Sequence, residues 1–285
     1  MPELPEVEVL ARHLGPLIAG KRIRKVTVRR ARVLRPTTPR QLQRTLTGAR
    51  FDHLIRRGKY LVFGLTSRNR KPIPLLGHLG MTGRMYLLPR NGALPKHAAV
   101  VLDLGAEQFV YEDARYFGRL TLDTSAMAPL GPEPLGNEFT IDVFADALAR
   151  SPRAIKIKLL DQELVAGIGN IYASEALYLA GISPQLPANR LSPDQIKRLH
   201  RAIRKVLTHA IHFGSTIPLN HSGKNGDGLF YFGLADDAPD FYEERLRVYD
   251  RGGQPCSRCR TPIRRIVQAA RSTFFCPQCQ IRSRR

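Results

Sequence analysis

Residues 256–279 read CSRCRTPIRRIVQAARSTFFCPQC, two CxxC pairs separated by sixteen residues that together use all four cysteines of the protein. Each pair can turn two thiolates toward one tetrahedral Zn2+, and the residues between them read as a β-hairpin. The spacing therefore predicts a zinc ribbon, with one structural Zn2+ on Cys256, Cys259, Cys276 and Cys279. Two disulfides or a redox pair would use the same residues, and a cytosolic setting disfavours both. Four protein ligands leave the metal no open position, so it is expected to hold structure and not to react. Arg258, Arg260, Arg264, Arg265 and Arg271 lie on or beside the hairpin. Such a ribbon suits a nucleic-acid backbone or groove, although a solvated side chain is the ordinary state of any single arginine.

Working outward, the same excess of positive charge runs through the whole chain, whose formal charge is +21 and whose pI is near 10.6. No Asp or Glu falls between Val9 and Arg50, where Lys21, Arg22, Arg24, Lys25, Arg29, Arg30, Arg32, Arg35, Arg40 and Arg44 stand, and from Arg251 onward there are nine Arg and no acid. A surplus of this size calls for a polyanion, nucleic acid first among them, with a solvated basic surface or a ribosome-binding protein as the alternatives. No apolar run approaches the roughly 18 to 20 residues of a spanning helix, and the start, MPELPEVEVL, is acidic where a signal peptide is basic. The expectation is a soluble cytosolic protein with no membrane partner.

The 285 residues exceed what one small core needs, which favours two domains and a metal-stapled appendage. From Glu6 to about Ala19, Val7, Leu10, Leu14, Leu17 and Ile18 recur at helical spacing, with Pro5 in the tolerated first turn and Gly20 as a stop. Between Arg22 and Leu122, short β-rich runs (RIRKVTVRR, KYLVFGL, PLLGHLG, GRMYLL, AAVVLDL, QFVYED, RLTLD) alternate with Gly, Pro and Asn, the pattern of an antiparallel sandwich or barrel. The stretch APLGPEPLGNE, residues 128–138, breaks both patterns and marks a boundary. Helical spacing then covers Thr140–Arg150, Ala154–Leu160, Asn170–Leu179 and Ser192–Phe213, followed by a glycine-rich, aromatic loop to about Tyr242. The fold class is α+β: an N-terminal helix with an antiparallel β-sandwich (1–130), a helical domain with its loop (131–244) and the ribbon (245–285).

Two further motifs carry chemistry. In DQELVAGIGNIYASEALYLAGI, Gly167 and Gly169 make a tight turn into a helix that opens at Asn170. Such a backbone can approach a ligand closely, and the free N–H groups and dipole of the helix start suit a phosphate. An ordinary helical hairpin would read the same. At the N-terminus, removal of Met1 would leave Pro2 with a secondary amine of pKa roughly 7.7 to 8. An amine of that kind can attack a sugar aldehyde carbon and form an iminium, an electron sink for elimination. Glu3 and Glu6 stand within reach to move protons; the bland alternative is a plain helix lead-in.

Taken in order, PELPEVE, RRGKYL, HLGMTGR, GIGNIYASEAL and the terminal ribbon resemble the formamidopyrimidine-DNA glycosylase family, which also includes endonuclease VIII, over nearly the whole chain. The PELPE start leans to the formamidopyrimidine branch, since the other carries Gly where Leu4 stands. The resemblance implies a bifunctional base excision repair enzyme, glycosylase and abasic-site lyase, acting on damaged double-stranded DNA in the bacterial cytosol and nucleoid. It implies a monomer, with a helix-two-turn-helix and no small-molecule cofactor. It makes Pro2 the Schiff-base nucleophile, Glu3 the acid/base and Lys59 of RRGKYL a phosphate contact that assists the lyase steps. Glu6 becomes a second acid. Met81, with Arg115 and Phe117 of DARYFG, would fill the stack when the damaged base is turned out; without the family, Met81 and Phe117 read as core. Lys59, Asn170 and Arg271 would grip phosphates, and Lys156 would lie near the lesion pocket.

Two departures bear on substrate. Where the family usually has DPRRFG this chain has DARYFG, with Tyr116 in place of an Arg. The loop at 214–242, with Phe230, Tyr231 and Phe232, is longer than the usual version that closes over the turned-out base. Formamidopyrimidines and 8-oxoguanine are the expected lesions. An endonuclease VIII-like preference for oxidised pyrimidines, a catalytically silent relative and a basic zinc-ribbon binder of DNA or RNA are the alternatives.

Overall fold

The computed structural model describes residues 2–215 and 246–281. These residues form two compact units, one running to Ala128 and the other beginning at Pro129 and including the C-terminal ribbon.

The first unit opens with helix α1 (Leu4–Ile18), whose buried face carries Val7, Leu10, Leu14 and Ile18 at helical spacing. Strand β1 (Lys25–Val28) and a short helix α2 (Pro39–Leu46) follow, and then β2 (Arg50–Arg57), β3 (Tyr60–Thr66), β4 (Pro72–His78), β5 (Arg84–Pro89), β6 (Ala98–Asp103), β7 (Glu107–Glu112) and β8 (Arg119–Thr121). They pair antiparallel into two four-stranded sheets, in the orders β1-β6-β7-β5 and β2-β3-β4-β8. The expected sandwich is thus present, with one core between helix and sheets. Phe51, Phe63 and Phe109 meet there with ring centroids 5.8 to 6.4 Å apart, a spacing at which tilted aromatic pairs attract.

Two elements were not legible in the periodicity. Helix α2 buries only Leu42 and Leu46, too few for a visible stripe, and starts where Thr38 accepts the Gln41 N–H just ahead of Pro39. Strand β2 lacks alternation because a bulge falls between Phe51 and His53 and because much of its surface is Arg, Asp and His.

The second unit holds α3 (Ile141–Ala149), α4 (Ile155–Leu159), α5 (Asn170–Ala180), α6 (Pro193–Ser215) and the hairpin β9 (Arg264–Gln268) with β10 (Arg271–Phe275). Arg271 pairs with Gln268, so Ala269 and Ala270 form a two-residue turn, both with positive φ as a type I′ turn demands. The ribbon packs on α5 through Tyr178, Val248, Ile263 and Phe274. Among the described residues no helix is long and apolar enough to cross a membrane.

Candidate active site and nucleic-acid interface

Pro2 lies ahead of α1 and is half-buried, whereas Glu3 and Glu6 are almost fully buried. Glu6 accepts the backbone N–H of Glu3 at 2.6 Å, satisfying a donor the helix start would otherwise leave open. Glu6 therefore fixes the peptide next to Pro2. Lys59 is buried to 9 % exposure in the β2–β3 turn, after Gly58 at φ 57°. Arg56 ties that turn to α1: it binds Glu8 at 2.7 Å and the Gly58 carbonyl at 3.3 Å. Burial raises the Glu8 carboxyl's pKa, but hydrogen bonds from Arg56 and Arg12 outweigh it and hold the group below the usual carboxylate value.

His78, opposite Tyr60 in the β3–β4 ladder and within the charge field of Lys59, is a buried neighbour of these residues that motif reading passed over although HLGMTGR contains it. Burial, with the charges of Lys59 and Arg119, lowers its pKa to about 4, so it is neutral near pH 7. Its Nδ1 accepts the Gly80 N–H at 3.1 Å, which leaves the proton on Nε2.

The two turns that carry the candidate wedge lie in the same unit. Met81, between β4 and β5, is 44 % exposed and Phe117, between β7 and β8, is 49 % exposed, so neither is core. The Arg115 guanidinium lies 4.8 Å from the Phe117 ring centre. Tyr116, the departure from the usual pattern, sits at φ 55° and accepts a hydrogen bond from Arg30 Nε at 3.1 Å.

In the second unit, Gly167 at φ 89° and the N-cap Gly169 lead into α5, whose first residue is Asn170. Lys156 is 0 % exposed, and its ammonium donates to Asn170 Oδ1 at 2.5 Å, Thr273 Oγ1 at 2.6 Å and the Ser272 carbonyl at 3.0 Å. Asn170 Nδ2 donates to the same carbonyl at 2.9 Å. The ammonium is thus turned toward Asn170 and the hairpin. Arg271, next to Ser272, is exposed and lines an open groove of about 930 Å3 with Arg150, Arg153 and Lys158. Glu175, also missed, is buried and accepts the N–H groups of Arg247, Val248 and Tyr249, each at 2.9 Å, pinning the segment that enters the ribbon.

The four cysteine Sγ atoms lie within 4.8 Å of one another, with close pairs at 3.4 and 3.9 Å. Tetrahedral Zn–S bonds of about 2.3 Å put sulfurs near 3.8 Å apart, so the set fits one structural Zn2+. The Arg258 and Cys279 N–H groups point at Cys256 Sγ and Cys276 Sγ, as CxxC knuckles do. Residues 216–242 of the expected loop, including Phe230, Tyr231 and Phe232, lie outside the described residues.

Family models match nearly the whole chain: "Formamidopyrimidine-DNA glycosylase N-terminal domain" over residues 1–120, "Formamidopyrimidine-DNA glycosylase H2TH domain" over 130–220, and "Zinc finger found in FPG and IleRS" over 253–281. A formamidopyrimidine-DNA glycosylase of Symbiobacterium thermophilum is 43% identical, covering 98% of this chain and 89% of its own length. A Lactococcus lactis FPG variant in complex with a Fapy-dG containing DNA superposes with TM-score 0.85 at 34% identity, over 99% of this chain and 100% of that one. The structure of MutM in complex with carbocyclic 8-oxo-G containing DNA gives 0.84 at 36% identity, over 99% and 100%.

Proposed function

The chain belongs to the formamidopyrimidine-DNA glycosylase family and is a base excision repair glycosylase, and from that premise we propose that it excises formamidopyrimidines and 8-oxoguanine and then cuts the abasic site through Pro2. Once Met1 is removed, the amine lone pair attacks C1′ while the C1′–N bond to the base breaks, and the base leaves with that electron pair and takes a proton. Glu3 delivers a proton to the ring oxygen, and the opened sugar becomes an iminium on Pro2. Loss of a C2′ proton then expels the 3′ phosphate, a second elimination expels the 5′ phosphate, and water releases the sugar remnant and restores the amine. Lys59 neutralises a phosphate during these steps. Met81, Arg115 and Phe117 fill the stack, while Asn170 and Arg271, braced by Lys156, hold the strand.

The three parts have separate tasks in this reading: chemistry and the wedge in 1–130, strand grip through Asn170 and the lesion-capping loop in 131–244, and a metal-held ribbon that adds Arg271 to the grip in 245–285. The enzyme works as a monomer on the nucleoid in the cytosol. The observation that carries the mechanism is Pro2 lying just ahead of α1, next to a peptide whose N–H Glu6 holds. Borohydride trapping on duplexes with 8-oxoguanine, a formamidopyrimidine, an oxidised pyrimidine or an abasic site tests it. The expected adduct maps to Pro2 on the purine lesions, and Pro2→Gly lowers trapping by about a hundredfold or more while abasic DNA still binds. Unchanged trapping by Pro2→Gly would move the nucleophile elsewhere, and adducts on pyrimidine lesions alone would reverse the substrate preference.

A further inference from the structure

The two turns that bear Met81 and Arg115/Phe117 are joined by more than neighbourhood. Asp113 directly follows β7 and is fully buried, a position in which its carboxylate needs donors on both oxygens. Oδ1 accepts the Arg115 N–H at 3.1 Å and Oδ2 the Gly118 N–H at 2.8 Å, which shapes the turn holding Arg115 and Phe117. Oδ1 also accepts the hydroxyl of Thr82 at 2.7 Å, and Thr82 is the residue after Met81. One carboxylate thus fixes both turns.

The backbones interlock beneath it. Gly80 has φ 60°, and a Cβ there would stand 2.5 Å from the Gly118 nitrogen and 2.6 Å from the Phe117 carbonyl carbon. A Cβ on Gly118 would stand 2.0 Å from the Tyr111 hydroxyl and 2.5 Å from the His78 carbonyl oxygen. The turns approach as only two glycines allow.

We propose that the Thr82–Asp113 hydrogen bond makes one rigid wedge of the two turns, so that Met81 enters the duplex only together with Arg115 and Phe117, and that Thr82 and Asp113 are positioning residues for base extrusion. The proposal rests on the glycosylase reading above. Unstacking a step costs a few kcal/mol, and a half-inserted wedge leaves the void unfilled or the orphaned base unpaired. Separate turns would each have to be ordered on the DNA, whereas a preformed wedge has met that cost in folding.

The test uses full-length protein on a duplex with 8-oxoguanine opposite cytosine, with 2-aminopurine beside the lesion to report insertion, and on the same duplex with a preformed abasic site. Thr82→Val keeps the shape and removes the hydroxyl. It should slow both the fluorescence rise and single-turnover excision by about five- to tenfold, the worth of one such bond. Cleavage of the abasic site, which has no base to extrude, should fall much less, and Thr82→Ser should restore both rates. If the valine methyl disturbs folding, Thr82→Ala makes the same deletion. Equal loss on both substrates, or wild-type insertion by the variants lacking the hydroxyl, overturns the wedge. Failure of the wild-type protein to excise any lesion would instead overturn the glycosylase reading, and the fluorescence rise on the 8-oxoguanine duplex, which reports insertion without chemistry, would still decide the wedge.

Discussion

The groups assigned to chemistry and the groups assigned to strand grip are held by different means. Around Pro2, Lys59 and the wedge turns, two sheets and α1 share a core of aromatic and aliphatic side chains, and polar contacts such as those of Asp113 lock turns that this core brings together. The ribbon beside Arg271 has a small core of its own, and its position depends on four thiolates, the buried Lys156 and the buried Glu175. Stability spread over many apolar contacts tolerates the loss of one, whereas stability gathered in a metal and two charges does not. The catalytic frame and the grip should therefore fail under different stresses.

Zinc removal is the strongest way to break it. A chelator or Cys276→Ser should release one zinc equivalent and unfold the ribbon, since structural zinc contributes on the order of 10 kcal/mol in small ribbons. Two transitions should then appear in thermal unfolding monitored with zinc analysis, the N-terminal unit keeping its midpoint. A single shifted transition would show that the two regions share their stability. Lys156→Met comes next. It leaves Asn170 Oδ1, Thr273 Oγ1 and the Ser272 carbonyl short of a donor, at a cost of about 2 to 4 kcal/mol. Binding should weaken alike on damaged and intact duplexes, and a lesion-selective loss would return Lys156 to the base pocket.

Acid sharpens the contrast from the other side. His78 titrates at about 4 in the folded protein against about 6.5 unfolded. In that window the unfolded chain binds the extra proton, so stability falls as pH drops from 6.5 to 4, by about 1 kcal/mol per pH unit at most. His78→Gln, which keeps an acceptor for the Gly80 N–H, should flatten this slope in the first unit only. The smallest effect lies at the hairpin tip, where alanines at φ 47° and 59° occupy a turn that favours Asn-Gly. Replacing Ala269 and Ala270 by that pair should stabilise the ribbon by about 1 to 2 kcal/mol in denaturant titrations, and no gain would mean that neighbours already offset the strain.

The zinc ribbon was legible because ligand spacing is a local property of the chain, and α1, α3, α4, α5 and α6 were legible because their apolar spacing is long enough to show. Helix α2 and strand β2 escaped since their identity depends on neighbours: two leucines and a bulged, polar strand carry little period of their own. The site divides the same way. Pro2, Glu3, Lys59 and the wedge residues could be picked out on motifs. The residues that brace the wedge turns and the ribbon, Asp113 and Glu175, could not, because a buried carboxylate is recognised by the N–H groups around it, and those come from turns and from residues more than seventy positions away. Lys156 adds what no motif shows: its ammonium is buried against Asn170 and the hairpin.

The close approach of Gly80 and Gly118 has a consequence for how such an enzyme can diversify. With neither position able to accept a side chain unless its neighbours move, the mount under the wedge is closed to drift, while the tips it carries are free to vary. Tyr116 is held more firmly than its neighbours, packed partly on the core, bound to Arg30 and set at φ 55°. Lineages would then be expected to retune lesion preference by swapping tips one at a time, and a library that randomises Met81, Arg115 and Phe117 while keeping Tyr116 and the two glycines should yield mostly folded proteins.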